Sequence, residues 1–341
     1  MNICKLEQID FSKYEDYVVS HKDGLFYYSV KYKQFLEQLC QVESHYLIAK
    51  DNDRIVGTMP LMIKKGAFGS IINSLPYYGS NGGILADLEE VSDELRLKYS
   101  EMIKDGRYSA STCVENPLNP YAVTYDFDFI DERIGQWTEL KEQSSDGLMS
   151  AFDSSTRRNI RKAEKQGVDV IIDNSAIEFL KQTHKANMAD IGGLAKSDQF
   201  FDMIPDCFEG DKDYRIYVAQ KNGKAVAALL LFYFNHTVEY FIPVTVSEYR
   251  SDQPLAGIVF KAMCDAIDQG FDWWNWGGTW KSQEGVYKFK KKWAAIDKPY
   301  RYFTKIFNQE LLFQSRETLL SEYANFFVVS FDELKEKSYA E

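Results

Sequence analysis

The residues best suited to chemistry stand late in the chain: Trp273-Trp274-Asn275-Trp276-Gly277-Gly278 and, after a short gap, Gly285-Val286-Tyr287-Lys288-Phe289-Lys290-Lys291-Lys292-Trp293. An aromatic run ending in two glycines lets the backbone approach a bound molecule closely, and the lysines behind it supply cationic donors. Acyl transfer to an amine needs both, because charge develops on the carbonyl oxygen and must be met by fixed donors. An activated ester or thioester requires no covalent enzyme intermediate, so no Ser-His-Asp arrangement is expected, and none is read here. In this reading Lys290 offers an ammonium to the carbonyl or leaving oxygen. Standing among Lys288, Lys291 and Lys292, it reads as a surface lysine when the Phe289-Lys290 motif is set aside. Phe289 is suited to stacking on a donor's adenine ring or to core packing, and Tyr240 and Tyr249 are further catalytic candidates.

A second cationic segment is Ser154-Ser155-Thr156-Arg157-Arg158-Asn159-Ile160-Arg161-Lys162-Ala163-Glu164-Lys165-Gln166-Gly167. A serine start and a glycine stop mark it as a capped helix. Arg157, Arg161 and Lys165 fall on one stripe, with Arg158 and Lys162 beside them. The stripe fits both donor phosphate binding and a solvated helix face. In the N-terminal half, Leu75-Pro76-Tyr77-Tyr78-Gly79-Ser80-Asn81-Gly82-Gly83 joins glycines to aromatic rings, which suits either a structural loop or an acceptor cradle formed by Tyr78, Gly82 and Gly83.

These segments need a scaffold, and the pattern of the chain describes one. Residues 46–61 and 217–230 both read as strand, polar turn, strand, the second with the hairpin turn Asn222-Gly223. In the second copy an amphipathic helix over 175–190 precedes the hairpin. A strand near 237–244, a helix over 254–269 opened by Pro254 and stopped by Gly270, a strand over 271–276 and a strand near 300–307 follow. The repetition predicts a duplicated α/β unit. The polar stretch Gln143-Ser144-Ser145-Asp146-Gly147 suggests a boundary, giving domains 1–150 and 151–308, with a terminal helical stretch over 309–323 and the remaining tail to 341 returning to the first.

The 341 residues carry a formal charge of −11, which argues against general nucleic-acid coating and leaves room only for a local basic contact. Five scattered cysteines without a CxxC pair suit a reducing cytoplasm, and four histidines at unrelated positions give no metal site. No apolar run is long enough to span a bilayer, so the expected location is cytoplasmic, at most peripheral to the inner face of the membrane.

The Trp-Gly-Gly turn followed by Phe289-Lys290-x-x-Trp293, together with the Arg157 to Val168 opening, resembles the FemAB-like branch of the GNAT N-acyltransferases, including the Fem-type aminoacyltransferases. The resemblance implies a mixed α/β fold of two tandem GNAT-like domains, with the first on the acceptor side and the second on the donor side. It implies transfer to an amine of a cell-envelope precursor, a peptidoglycan peptide or an amino sugar, in free or lipid-linked form. CoA-using GNAT domains carry a glycine-rich phosphate turn where this chain has Glu248-Tyr249-Arg250-Ser251-Asp252-Gln253-Pro254-Leu255-Ala256-Gly257. Proline there removes an amide donor, which disfavours a cradled pyrophosphate, although Arg250 beside a helix N-terminus can hold one phosphate. Aminoacyl-tRNA is therefore favoured slightly over an acyl thioester such as acyl-CoA, and no tightly bound cofactor is expected. In the first domain Tyr28-Ser29-Val30-Lys31-Tyr32 stands in for the family's Gln-Ser-x-x-Trp, with Leu36 where a basic residue is expected. A noncatalytic binding module with the same fold is the alternative.

Overall fold

The computed structural model describes residues 1–75, 81–121, 124–280 and 283–335. The chain divides into two compact units, Met1–Arg133 with Pro299–Glu341, and Ile134–Lys298.

In the second unit, strands Asp169–Ile172, Tyr214–Lys221, Lys224–Phe234 and Thr237–Thr245 form an antiparallel run. Asn222 and Gly223, at φ 51° and 74°, make the tight turn between the second and third. Helix Pro254–Asp268 then crosses over to strand Trp273–Trp280, which lies parallel to Thr237–Thr245. The crossover helix buries Ile258, Val259, Ala262, Met263 and Ala266. That spacing of three and four residues gives one apolar face. Gly257 begins this face. A Cβ placed there would lie 3.3 Å from the Cβ of Ala163, so the pair of small residues lets helix Ser154–Lys165 pack closely against the crossover helix.

The parallel pairing is short. Thr237, Val238 and Glu239 pair with Trp273, Trp274 and Asn275, and no pair follows among the described residues. A bulge contributes, since Leu230 faces Ile242 while Leu231 faces Tyr240, leaving Phe241 as an extra residue that bends its strand.

The first unit repeats the order of elements. Its hairpin joins Leu47–Asp51 to Arg54–Met59. Strand Gly69–Asn73 leads through helix Glu89–Ile103 to the parallel strand Tyr108–Val114. The helix places Val91, Leu95, Tyr99 and Ile103, four residues apart, on a core containing Leu47, Met59 and Ile72. Ser29 caps helix Val30–Cys40 by accepting from the Tyr32 amide, and Leu36 is fully buried. The expected helix over 309–323 is interrupted. A 3-10 turn Gln309–Phe313 is followed by helix Arg316–Glu322, because Ser315 accepts from the Thr318 amide and starts a new helix.

No helix of the described residues is long and apolar enough to cross a membrane. Among the same residues no cluster of His, Cys, Asp or Glu is arranged to hold a metal ion.

Candidate active site

The second unit contains a cavity of about 320 Å³ where three helix ends meet. Ser155, Thr156 and Asn159 come from the first turns of Ser154–Lys165, and Gln253, Pro254, Leu255 and Ala256 from the start of the crossover helix. Lys288, Phe289, Lys292 and Trp293 come from helix Glu284–Lys291 and the residues after it, while Thr245 and Arg250 complete the wall.

Short bonds fix these walls. The Asp153 amide donates to the Lys292 carbonyl at 2.9 Å, tying two helix ends together. The Asn187 side chain exchanges two 2.9 Å bonds with the Thr245 backbone, like one rung of an extra strand. Asp190 accepts from Ser247 at 3.0 Å and from Arg250 at 2.9 Å, so the Arg250 guanidinium is oriented by a carboxylate. Hydroxyls, three cations and the positive end of a fifteen-residue helix therefore surround the cavity. Such a surface favours an anionic group. Phe289 is 40% exposed, with its ring edge-on to Trp276 at 5.9 Å and to Trp293 at 6.4 Å, so it offers an accessible aromatic surface on a rigid base.

Lys290, the next residue, turns inward. Its helix exposes Lys288 and Lys291 and buries Lys290 to 6%. Its Nζ donates to Thr279 Oγ1 at 2.8 Å, Gly278 O at 3.2 Å and Gly277 O at 3.3 Å. Burial pulls its pKa down to about 8. Asn275 shapes the same turn, donating to Glu239 Oε2 at 2.7 Å and accepting from the Gly277 amide at 2.8 Å. Glu239 is 1% exposed and sits at the last rung before the strands part. Its place was hidden in the sequence, because an acidic residue within an apolar strand gives no periodic signal of its partner.

Residues 150–291 match the acetyltransferase (GNAT) domain family. Over this stretch, somewhat less than half of the chain, the sequence is similar to GNAT acetyltransferase domains. Several solved structures share the fold of the whole chain. FemX aligns with a TM-score of 0.67 at 14% identity, covering 91% of this chain and 98% of that one. L-PGS from Bacillus licheniformis aligns at 0.53 and 10%, covering 86% and 96%. A tandem GNAT protein from the clavulanic acid biosynthesis pathway aligns at 0.51 and 9%, covering 89% and 98%. No curated protein sequence matches the chain. The mixed α/β fold is thus shared with FemX and with the tandem GNAT protein.

Within the second unit, the cavity brings Phe289 and Arg250 together and leaves other candidates outside its lining. Tyr240 packs on Trp274 and Trp276 at 6.1 and 4.9 Å, where burial pushes its phenol well above the usual range. Tyr249 lies in the 3-10 turn Ser247–Asp252, its phenol raised by bonding to Glu248. Arg157 turns back to the carbonyls of Ser150 and Phe152, satisfying the end of helix Ser145–Ala151. Arg161 and Lys165 point to solvent.

In the first unit Gly82 and Gly83 are buried and approach protein instead of open space. The Gly82 carbonyl accepts from the Tyr28 hydroxyl at 2.6 Å. Gly83 has φ 78°, and a Cβ there would come within 2.7 Å of the Val114 carbonyl oxygen. Their glycine character is explained by close chain packing. Tyr78 lies outside the described residues.

Proposed function

We propose that the chain is an N-acyltransferase that moves an activated acyl group from a phosphate-bearing donor, held in the GNAT domain, to an amine of a cell-envelope precursor. A peptidoglycan peptide and an amino sugar, free or lipid-linked, are the acceptors in view. The observation that carries this reading is the parting of Thr237–Thr245 from Trp273–Trp280 after three rungs, with the cavity reaching Thr245. Parted strands present backbone donors and acceptors to an extended ligand. Arg250, Lys288 and Lys292 suit its phosphate end, and Phe289 its base.

In the reaction the acceptor nitrogen attacks the acyl carbon, forming the C–N bond. The bond from that carbon to a ribose oxygen or thiol sulfur breaks, and the amine proton is lost to the leaving group or solvent. Lys290 enters through the turn it holds, since its Nζ is bonded to Gly277, Gly278 and Thr279. The first unit, with the chain's last segment, is assigned the acceptor side.

Aminoacyl-tRNA and acyl-CoA share the required chemistry. The absence of glycine between Arg250 and Ala256 and the exposed Arg158, Arg161, Lys162 and Lys165 favour the former, while the acetyltransferase family match favours the latter. Mass spectrometry of reactions containing charged tRNA, acyl-CoAs or acyl carrier protein with several amine acceptors tests the proposal. An acylated acceptor with one donor class is expected. Specific ligand binding without an acylated product from any donor would make the chain a binding module.

A further inference from the structure

Gln136 lies on strand Phe129–Glu139, outside the stretch matched to the GNAT family, and is fully buried. Its Nε2 donates to the Tyr287 carbonyl at 3.1 Å. A backbone carbonyl only accepts, so this bond fixes which end of the amide faces it. The Gln136 Oε1 must then face Thr279, whose hydroxyl donates to it at 3.0 Å. With its proton committed to Gln136, Thr279 Oγ1 can only accept from Lys290, at 2.8 Å. The other two contacts of Lys290 Nζ are carbonyl oxygens. All three neighbours therefore accept from the lysine.

We propose that Gln136 is a positioning residue: through Thr279 it orders the protons around Lys290, so that this lysine is held as a hydrogen-bond donor to the Gly277–Gly278 turn. Its relevance to turnover rests on the acyl-transfer reading, but the proton order itself does not. The uncharged Gln136 is the contribution of its strand, and Trp273–Trp280 carries no ionisable carboxylate or amine. On the lysine's own helix Glu284, Lys288 and Lys291 are exposed, and Tyr287 bonds to Asp297 at 2.7 Å. Burial alone opposes the ammonium. Without Gln136, the Thr279 hydroxyl is free to rotate and donate to the amine, which favours its neutral form.

The test is a pH titration of the Lys290 15Nζ resonance in the full chain, assigned by its absence in Lys290→Arg. Gln136→Leu and Thr279→Val should each lower the midpoint by about one pH unit, the scale on which hydrogen bonding to an ionisable group acts. Gln136→Glu, close in size to the native residue, should raise it, and Thr279→Ser should restore the native value. Thr138→Val is the control. That residue donates to the Trp293 carbonyl and accepts from Trp276, so its loss perturbs the same region without touching Lys290. The proposal is overturned if Gln136→Leu leaves the midpoint unchanged, or if Thr138→Val moves it equally. Midpoints that shift as expected in a protein that transfers no acyl group would uphold the network and remove the functional reading.

Discussion

The two units build the same β-α-β step and finish it differently. In the first, Gly69–Asn73 pairs with Tyr108–Val114 through Asn73 and Thr112. Ser74 continues the seam, its amide donating to the Thr112 carbonyl and its hydroxyl accepting from the Val114 amide, both at 2.8 Å. Gly83 then seats against Val114. In the second unit pairing ends at Glu239 and Asn275, where the Asn275 side chain accepts from the Gly277 amide, a group a further rung would otherwise satisfy, and donates to the Glu239 carboxylate. One layout thus gives a closed seam or an opening, according to a few side chains at the end of a parallel pair. The cation-rimmed cavity occurs with the opening.

The strongest way to break this contrast is to remove Asn275. Asn275→Leu takes a donor from the buried Glu239 carboxylate, a change expected to cost about 3 kcal/mol of stability. Ser74→Ala removes a neutral acceptor from the closed seam and should cost about 1 kcal/mol. Urea unfolding measures both. Equal losses would mean that the opening carries no special cost in its buried polar groups.

Lys290 comes next. Lys290→Met should lower turnover about a hundredfold, the scale on which a small misplacement of the Gly277–Gly278 turn it holds would act, while the exposed Lys291→Ala stays near wild type. The folded-state pKa of about 8 lies below the ordinary 10.5. Between these values the unfolded chain holds the proton more tightly, so this group's contribution to stability is lowest below pH 8 and rises toward pH 10.5. Relative to Lys290→Met, the wild type should therefore gain stability from pH 8 to pH 10. A difference that is flat or falls across that window would show that Lys290 is not held against burial.

The sequence carried the scaffold further than the site. Asn222-Gly223, Pro254 and Gly270 punctuate elements through local backbone chemistry, and the hairpin and crossover helix follow from them. The lysines of Glu284–Lys291 look alike in sequence, whereas one helical position decides that Lys290 is buried and Lys291 exposed. Gln136 is invisible to any local rule, since its partner Thr279 is 143 residues away. Gly82 and Gly83 were legible as sites of close approach, but composition does not say whether a ligand or the chain's own strand approaches. Arg157 joined a cationic stripe by spacing, yet its guanidinium serves two carbonyls of the preceding turn.

Gly257→Val tests whether the opening depends on the helix contact beside it. With only 3.3 Å to the Ala163 Cβ, the added methyls must push Ser154–Lys165 away from the crossover helix, costing roughly 1–3 kcal/mol. Ser155, Thr156 and Asn159 would move with it, so donor affinity should fall about tenfold in protein that remains folded by calorimetry. Affinity unchanged despite lower stability would separate the cavity from this joint.

The smallest effect distinguishes the cavity from the exposed face beside it. Arg161→Ala with Lys165→Ala removes two solvent-facing charges and should change stability by less than about 0.5 kcal/mol. Arg157 is left in place because its loss would strip the end of Ser145–Ala151. If the donor is a tRNA that runs along this face, the double variant should bind it more weakly, with the logarithmic salt slope shallower by roughly 0.7–0.9 for each phosphate that is no longer neutralised. An acyl-CoA confined to the cavity should be indifferent to these two residues and sensitive to Lys288→Ala and Lys292→Ala. Fluorescence anisotropy with charged tRNA and with acyl-CoA, each over a salt series, measures the difference. A salt slope that flattens only on replacement of Lys288 and Lys292 would confine the donor's phosphates to the opening of the second unit.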